Sequence, residues 1–241
     1  MNPGTENSPQ TLRESDEFSF SCGTELACFN RCCRDVNIYL TPIDIALMRR
    51  ALGISSGELL KAHVIPLFPK AIGHPVMLLK MRESDKNCPF TTDTGCRIYN
   101  ARPWSCRSFP LEPADGGGFR TVKRDFCMGF DGGRVQKVSD WREEQDLKLH
   151  EAVNNIWASV THHPAVDRVN LLDGPGRDVF FIGSYNPDEF RSMIFNSGFL
   201  NHFSVDEDTL RRVREDDIEL IGFGVKWMRT VLFGEKMLAR R

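Results

Sequence analysis

The chain has 241 residues, 41 % hydrophobic and 27 % charged, which is enough apolar material for one large domain or two small ones. A formal net charge of −2 argues against the clearly basic surface on which nucleic-acid binding depends, and no run is long and apolar enough to span a bilayer as a helix. Residues 1–16 have neither the cationic start nor the apolar run of a signal peptide, and read as a disordered leader on a cytoplasmic protein with no nucleic-acid or membrane partner.

After that leader, "EFSFSC" alternates aromatic and polar residues and predicts a short strand or extended arm delivering Cys22. In "CGTELACFNRCCRD" the four-residue spacing of Cys28 and Cys32 would put both on one face of a helix, with Cβ atoms about 5–6 Å apart. Cys33 would then point about 100° away from Cys32. "VNIYL" reads as a β segment. "TPIDIALMRRALG" carries the signature of a helix, with Thr41 as cap, Pro42 at the first position, Asp44 in the first turn and Gly53 as the stop. "SSGELLKAHVI" begins a second helix at Ser55 or Ser56. The two resemble a helix-turn-helix, but without a basic surface they read as a packing hairpin. "HPVMLLKM" predicts a strand. Residues 87–113, with Pro89, Gly95, Pro103, Pro110 and Pro113, predict loops. "ADGGGFR" is a turn between short strands. From about residue 137 the pattern turns helical: one helix over "SDWREEQDLKLHEAVNNIWASV", another from near Asn186, and one or two more after Asp206. "DGPGRD" reads as a turn, and Asp216 and Asp217 as a solvated helix face.

The cysteines are the unusual feature. All eight lie between residues 22 and 127, at Cys22, Cys28, Cys32, Cys33, Cys88, Cys96, Cys106 and Cys127. Thiols that served only as small core residues would be scattered. Disulfides would suit a small secreted domain, yet this chain carries no export signal, and a reducing cytosol disfavours them. Adjacent Cys32 and Cys33 would also pair with each other only under strain. Thiolates held by metal are the better reading. The spacings, C-x5-C-x3-C-C then C-x7-C-x9-C-x20-C, contain no C-x-x-C pair of the sort that structural zinc sites use. Iron–sulfur clusters accept more dispersed thiolates, often with a Cys-Pro step such as Cys88-Pro89. The radical S-adenosylmethionine spacing C-x3-C-x2-C fails at Asp35.

Arginines accompany the thiols. Arg34, Arg102 and Arg107, with Arg31 and Arg97, would offset the negative charge of a thiolate-ligated centre and donate hydrogen bonds to its sulfurs. Phe20, Phe29, Phe90, Tyr99, Trp104, Phe109 and Phe126 would form an apolar shell around it, or plain core. The histidines carry less weight. His162 and His163 precede Pro164 and read as loop, and His150, one turn after Asp146, reads as half of a surface pair. No phosphate loop, nucleophile elbow or dinucleotide fingerprint occurs.

"FSC…ACFNRCCRD…LTPIDIALMRRALGIS" followed by "CPFTTDTGCRIYNARPWSCRSFP" resembles the YkgJ-type cysteine-cluster family, described as zinc- or iron-chelating, over roughly residues 18–112. By position, the resemblance assigns Cys22, Cys28, Cys32 and Cys33 to the family's first thiol group and Cys88, Cys96 and Cys106 to its second. Family members often read C-x2-C-x2-C-C where this chain has the longer C-x5-C-x3-C-C, and Cys127 lies beyond the motif. A similar cysteine group occurs in flagellin lysine methylases, a more distant likeness that would imply an iron–sulfur enzyme acting on protein.

The resulting expectation is an α+β protein. Its irregular, cysteine-rich, metal-centred N-terminal half (residues 17–133) would pack against a mainly helical C-terminal part (134–241). It would bind metal through the eight cysteines, with a [4Fe–4S]-type cluster in a redox or sensing role preferred over a zinc-stabilised interaction module or a protein-modifying enzyme.

Overall fold

The computed structural model describes residues 11–241; residues 1–10, most of the expected leader, lie outside the described residues. Leu12 is buried and exchanges backbone hydrogen bonds of 2.7 and 2.8 Å with Phe119, so residues 11–16 fold against the rest of the chain rather than hanging free.

The arm expected at "EFSFSC" is β1 (Glu17–Ser19). The segment from Cys28 to Cys33 corrects the helix suggested by its spacing. It passes through turns into a single 3-10 turn, Arg31–Cys33, flanked by Asn30 and Asp35 in the left-handed region (φ 65° and 51°). Asn and Asp tolerate that conformation better than other side chains, and it breaks a helix on either side. β2 (Tyr39–Leu40) leads into α1 (Pro42–Leu52), which has the expected Thr41/Asp44 capping box and the left-handed Gly53 closing it. α2 (Ser56–His63) is capped by Ser55 but ends earlier than its apolar run implied. β-branched Val64 turns the chain into β3 (Val64–Leu67), which pairs antiparallel with β4 (Val76–Leu79). β4 also pairs with β2, making a three-stranded sheet in the order β2-β4-β3.

The loop-rich stretch holds short elements: the β5 (Thr91–Thr92) and β6 (Gly95–Cys96) hairpin, α3 (Trp104–Ser108), and the hairpin of β7 (Leu111–Pro113) with β8 (Phe119–Thr121) around the "DGGG" turn. β9 (Val135–Lys137) returns to pair with β1. The long helix expected next is two, α4 (Val138–Glu144) and α5 (Leu147–Thr161), separated where Asp146 adopts φ 56°. "DGPGRD" is the start of a helix rather than an isolated turn: Asp173 caps α6 (Gly174–Tyr185). α7 (Pro187–Asn196), α8 (Phe199–His202), β10 (Phe203–Ser204), α9 (Glu207–Glu215), α10 (Asp217–Phe233) and β11 (Ala239–Arg240), the last paired with β10, complete an α+β fold. No described helix is long and apolar enough to cross a membrane.

One core runs through both halves of the chain. Leu40, Ile45, Met77, Leu79 and Phe90 from the first half join Phe180, Phe190 and Trp227 from the second, and Cys88 and Cys96 pack on its margin. A smaller core of Phe18, Phe20, Leu111 and Val138 lies beside Cys127, with Phe20 edge-on to Phe109, Phe130 and Trp141. α6 and α10 meet at Gly183 and Gly224, where a Cβ on Gly224 would lie 2.6 Å from the Gly183 carbonyl oxygen. Asp217 is not on a solvated face. It is 4 % exposed and accepts two 2.7 Å bonds from Arg49 and one of 2.6 Å from Arg191, tying α1 to α10 and α7.

Candidate metal centre

The cysteine-rich region is assembled by backbone contacts between segments far apart in sequence. The 3-10 turn lies along residues 85–95: Cys88 N–H donates to the Cys33 carbonyl (2.8 Å), Asp35 N–H to that of Lys86 (2.9 Å), and the Asn30 amide to that of Thr92 (2.9 Å). Gly95 has a φ of 119°, which disfavours any side chain, and a Cβ there would lie 3.3 Å from the edge of the Phe29 ring. Cys96 stands opposite Thr91 across the hairpin, and the Thr91 N–H donates to the Cys88 carbonyl (3.1 Å).

Cys106 comes in on α3, whose first turn is held by Asp44. That carboxylate is fully buried and accepts from Thr41 N (2.8 Å), Thr41 Oγ1 (2.9 Å) and, from α3, Trp104 N (2.9 Å). His150 Nδ1 lies 3.4 Å from the same carboxylate. His150 is therefore wholly buried against α1, not half of a surface pair with Asp146.

On the other side, residues 127–134 pass flush over the arm. Ser21 N–H donates to the Gly129 carbonyl (2.9 Å), and a Cβ on Gly129 or Gly133 would lie 2.5 or 2.6 Å from the Ser21 backbone. This register sets Met128 N–H on the Cys28 sulfur at 3.3 Å, one residue past Cys127.

None of the eight cysteines is in a disulfide. Burial raises the thiols of Cys88, Cys96 and Cys106, and each is raised further by neighbouring sulfurs, among them Cys33 in every case. Packing around its sulfur raises Cys22 first, followed by the nearness of Cys28 and Cys127. The nearness of Cys33 raises Cys32, and the same pairing lowers Cys33. Several thiolates cannot ionise together this close unless a cation takes the place of their protons. Sulfur donors in this number fit a soft or borderline metal. Among the described residues, no three Cys, His, Asp or Glu side chains are drawn tightly enough to grip an ion as they stand.

The arginines are placed variously. Arg102 and Arg97 lie near enough to Cys96 to favour its thiolate. Arg102 (9 % exposed) stacks on Tyr99 at 3.9 Å and donates to the Tyr99 carbonyl and to Gln145. Arg107 (5 % exposed) donates to the Arg102, Gln145 and Asn100 carbonyls, and Arg34 to the Asp85 carbonyl at 3.1 Å. Among the described residues, none of these guanidinium groups donates to a sulfur. Arg102 and Arg107 instead brace the chain leading to Cys106. His163 is occupied elsewhere, 2.8 Å from Glu235 and stacked on Phe233.

Residues 21–128 match the family model CxxCxxCC, described as "Putative zinc- or iron-chelating domain". Residues 21–128 are thus similar to the domain of the YkgJ-type family. No curated protein and no solved structure matches the chain. The YkgJ-type match reaches beyond the motif recognised in the sequence and takes in Cys127, so all eight cysteines fall inside it. Two groups at the centre had escaped notice. Asp44 is legible only as a helix cap, and nothing in the sequence sets Thr91 apart.

Proposed function

We propose that this metal-binding cysteine-cluster protein carries an iron–sulfur cluster in a redox or sensing role. The reading is supported by cysteines carried on three segments that backbone contacts bring together, residues 22–33, 88–106 and 127–129, with no C-x-x-C knuckle among them. Dispersed thiolates suit a cluster, which offers several iron corners, better than a single tetrahedral ion.

When bound, such a cluster would accept and release single electrons. The chain's own groups would tune it. Arg97 and Arg102 would offset charge beside Cys96, and Phe29 and Phe90 would limit water.

The test is anaerobic purification followed by an absorbance spectrum and iron, zinc and acid-labile sulfide assays on one sample. A brown protein with matching iron and sulfide is expected, and Cys106→Ser should lose metal and protease resistance together. A colourless protein holding zinc alone would replace this reading with a zinc-stabilised interaction module.

A further inference from the structure

The three-stranded sheet β2-β4-β3 is apolar on both of its faces. The inner face, Leu40, Val64, Met77 and Leu79, is buried in the main core. On the outer face the register sets Tyr39 and Ile65 on either side of Leu78, and Leu67 beside Val76. An antiparallel sheet with one face in water ordinarily turns polar side chains to it, and here all five are aliphatic or aromatic. Tyr39 and Ile65 are 51 % and 38 % exposed. Leu67, Val76 and Leu78 are half-buried, yet among the described residues they join none of the hydrophobic cores. The loop from β3 to β4 prolongs the patch with Phe68 and Ile72, 46 % and 53 % exposed.

The charge around this face has one sign. Between Glu58 and Glu83 the chain carries Lys61, Lys70, Lys80 and Arg82 and no acid, although its net charge is −2. Lys61 and Lys70 are exposed and make no ion pair among the described residues. Lys80 meets Glu83 at 3.5 Å, and Arg82 is held by Asp85.

We propose that this outer face docks on an anionic lipid surface. Tyr39, Ile65, Phe68 and Ile72 enter the boundary between headgroups and acyl chains, and Lys61, Lys70 and Lys80 meet the lipid phosphates. Lysine suits this role, because its stem lies along apolar surface while the ammonium group stays in water. Three features favour lipid over a protein. Pro66 stands in β3, an edge strand, and its missing N–H opposes the addition of a foreign strand there. A second copy of this chain would set lysines against lysines. Apart from the Tyr39 hydroxyl, the outer face offers no side-chain hydrogen bond to fix a folded partner, whereas protein interfaces carry about one per 100–200 Å². No spanning segment is involved, so the expectation of no membrane partner, which rested on the want of one, does not bear on this face.

The docking is independent of the metal reading. The test is cosedimentation of the full chain with vesicles of phosphatidylcholine alone, and of phosphatidylcholine and phosphatidylglycerol in equal parts, at low and high salt. Wild type should pellet with the anionic vesicles at low salt, far less with phosphatidylcholine alone, and be released by high salt. Phe68→Ser and Ile72→Ser should each weaken partitioning by about tenfold or more, and Lys70→Glu by about tenfold. Val135→Ser, on β9 and 64 % exposed, should bind as wild type does. All four are surface changes, so circular dichroism and metal content should match wild type. Wild type that stays in solution beside anionic vesicles overturns the proposal. A dimer by light scattering that Phe68→Ser dissociates would then assign the face to a second copy, and retention on immobilised polyglutamate that Lys70→Glu abolishes would assign it to an acidic protein. Undiminished binding by Phe68→Ser and Ile72→Ser also overturns it, since diffuse charge would then account for the binding.

Discussion

Asp44→Ala tests how the metal half is held together. The Asp44 carboxylate is wholly buried and serves two elements at once, capping α1 through the Thr41 N–H and hydroxyl and anchoring α3 through the Trp104 N–H. Loss of a helix cap costs about 1 kcal/mol, and leaving the Trp104 donor unsatisfied about 1–3 kcal/mol more. The expected loss is therefore about 2–4 kcal/mol, several times that of an ordinary surface change. Because α3 carries Cys106, metal content should fall in parallel. Urea unfolding followed by tryptophan fluorescence, with metal assayed on the same preparations, measures both quantities. Thr41→Ala separates the two parts, since it removes side-chain capping and leaves the Trp104 bond, and should cost less with full metal retained. An Asp44→Ala protein within about 0.5 kcal/mol of wild type and fully metallated would refute the anchoring role.

Three further outcomes follow from the packing. Asp217→Ala leaves Arg49 and Arg191 without their shared partner in a mostly buried setting and should cost about 3–5 kcal/mol by denaturant titration; a loss below about 1 kcal/mol would mean water already screens the pair. Gly224→Ala gains helix propensity but drives its methyl against the Gly183 carbonyl, 2.6 Å away, so a net loss of about 1–3 kcal/mol is expected and a gain would refute the close contact of α6 with α10. Burial, and then the nearness of His162, lowers the pKa of His74 below 6.5, with only partial compensation from the Pro75 carbonyl. The unfolded chain therefore takes up this proton first, so the neutral ring's contribution is present above pH 6.5 and is lost as pH falls below it. His74→Phe, packing on Trp157 and Phe180, should flatten the stability profile between pH 7 and 5, whereas an unchanged slope would assign it to other groups.

Local chemistry alone was enough for much of this protein. The caps at Thr41 and Ser55, the stop at Gly53, the arm at residues 17–19 and the "DGGG" hairpin all depend on neighbours within a few residues, and all were readable. The confinement of eight thiols to residues 22–127 declared a metal-binding region because composition needs no coordinates. Local signals failed where one residue's backbone conformation outweighed the periodicity around it. Left-handed Asn30 and Asp35 made a 3-10 turn of a segment spaced like a helix, and left-handed Asp146 split one amphipathic run into α4 and α5.

What tertiary structure alone decided is which groups meet. Asp217 looks like any other acid in a charged helix until Arg49 and Arg191 arrive from α1 and α7, and His150 looks solvent-facing until α1 brings Asp44 to it. The seating of the cysteine turn is of the same kind. Spacing can say that Cys32 and Cys33 point apart, but the backbone bond that sets Cys33 against Cys88 reaches across 55 residues. Such contacts depend on the joint packing of many elements, so no short stretch of sequence can encode them.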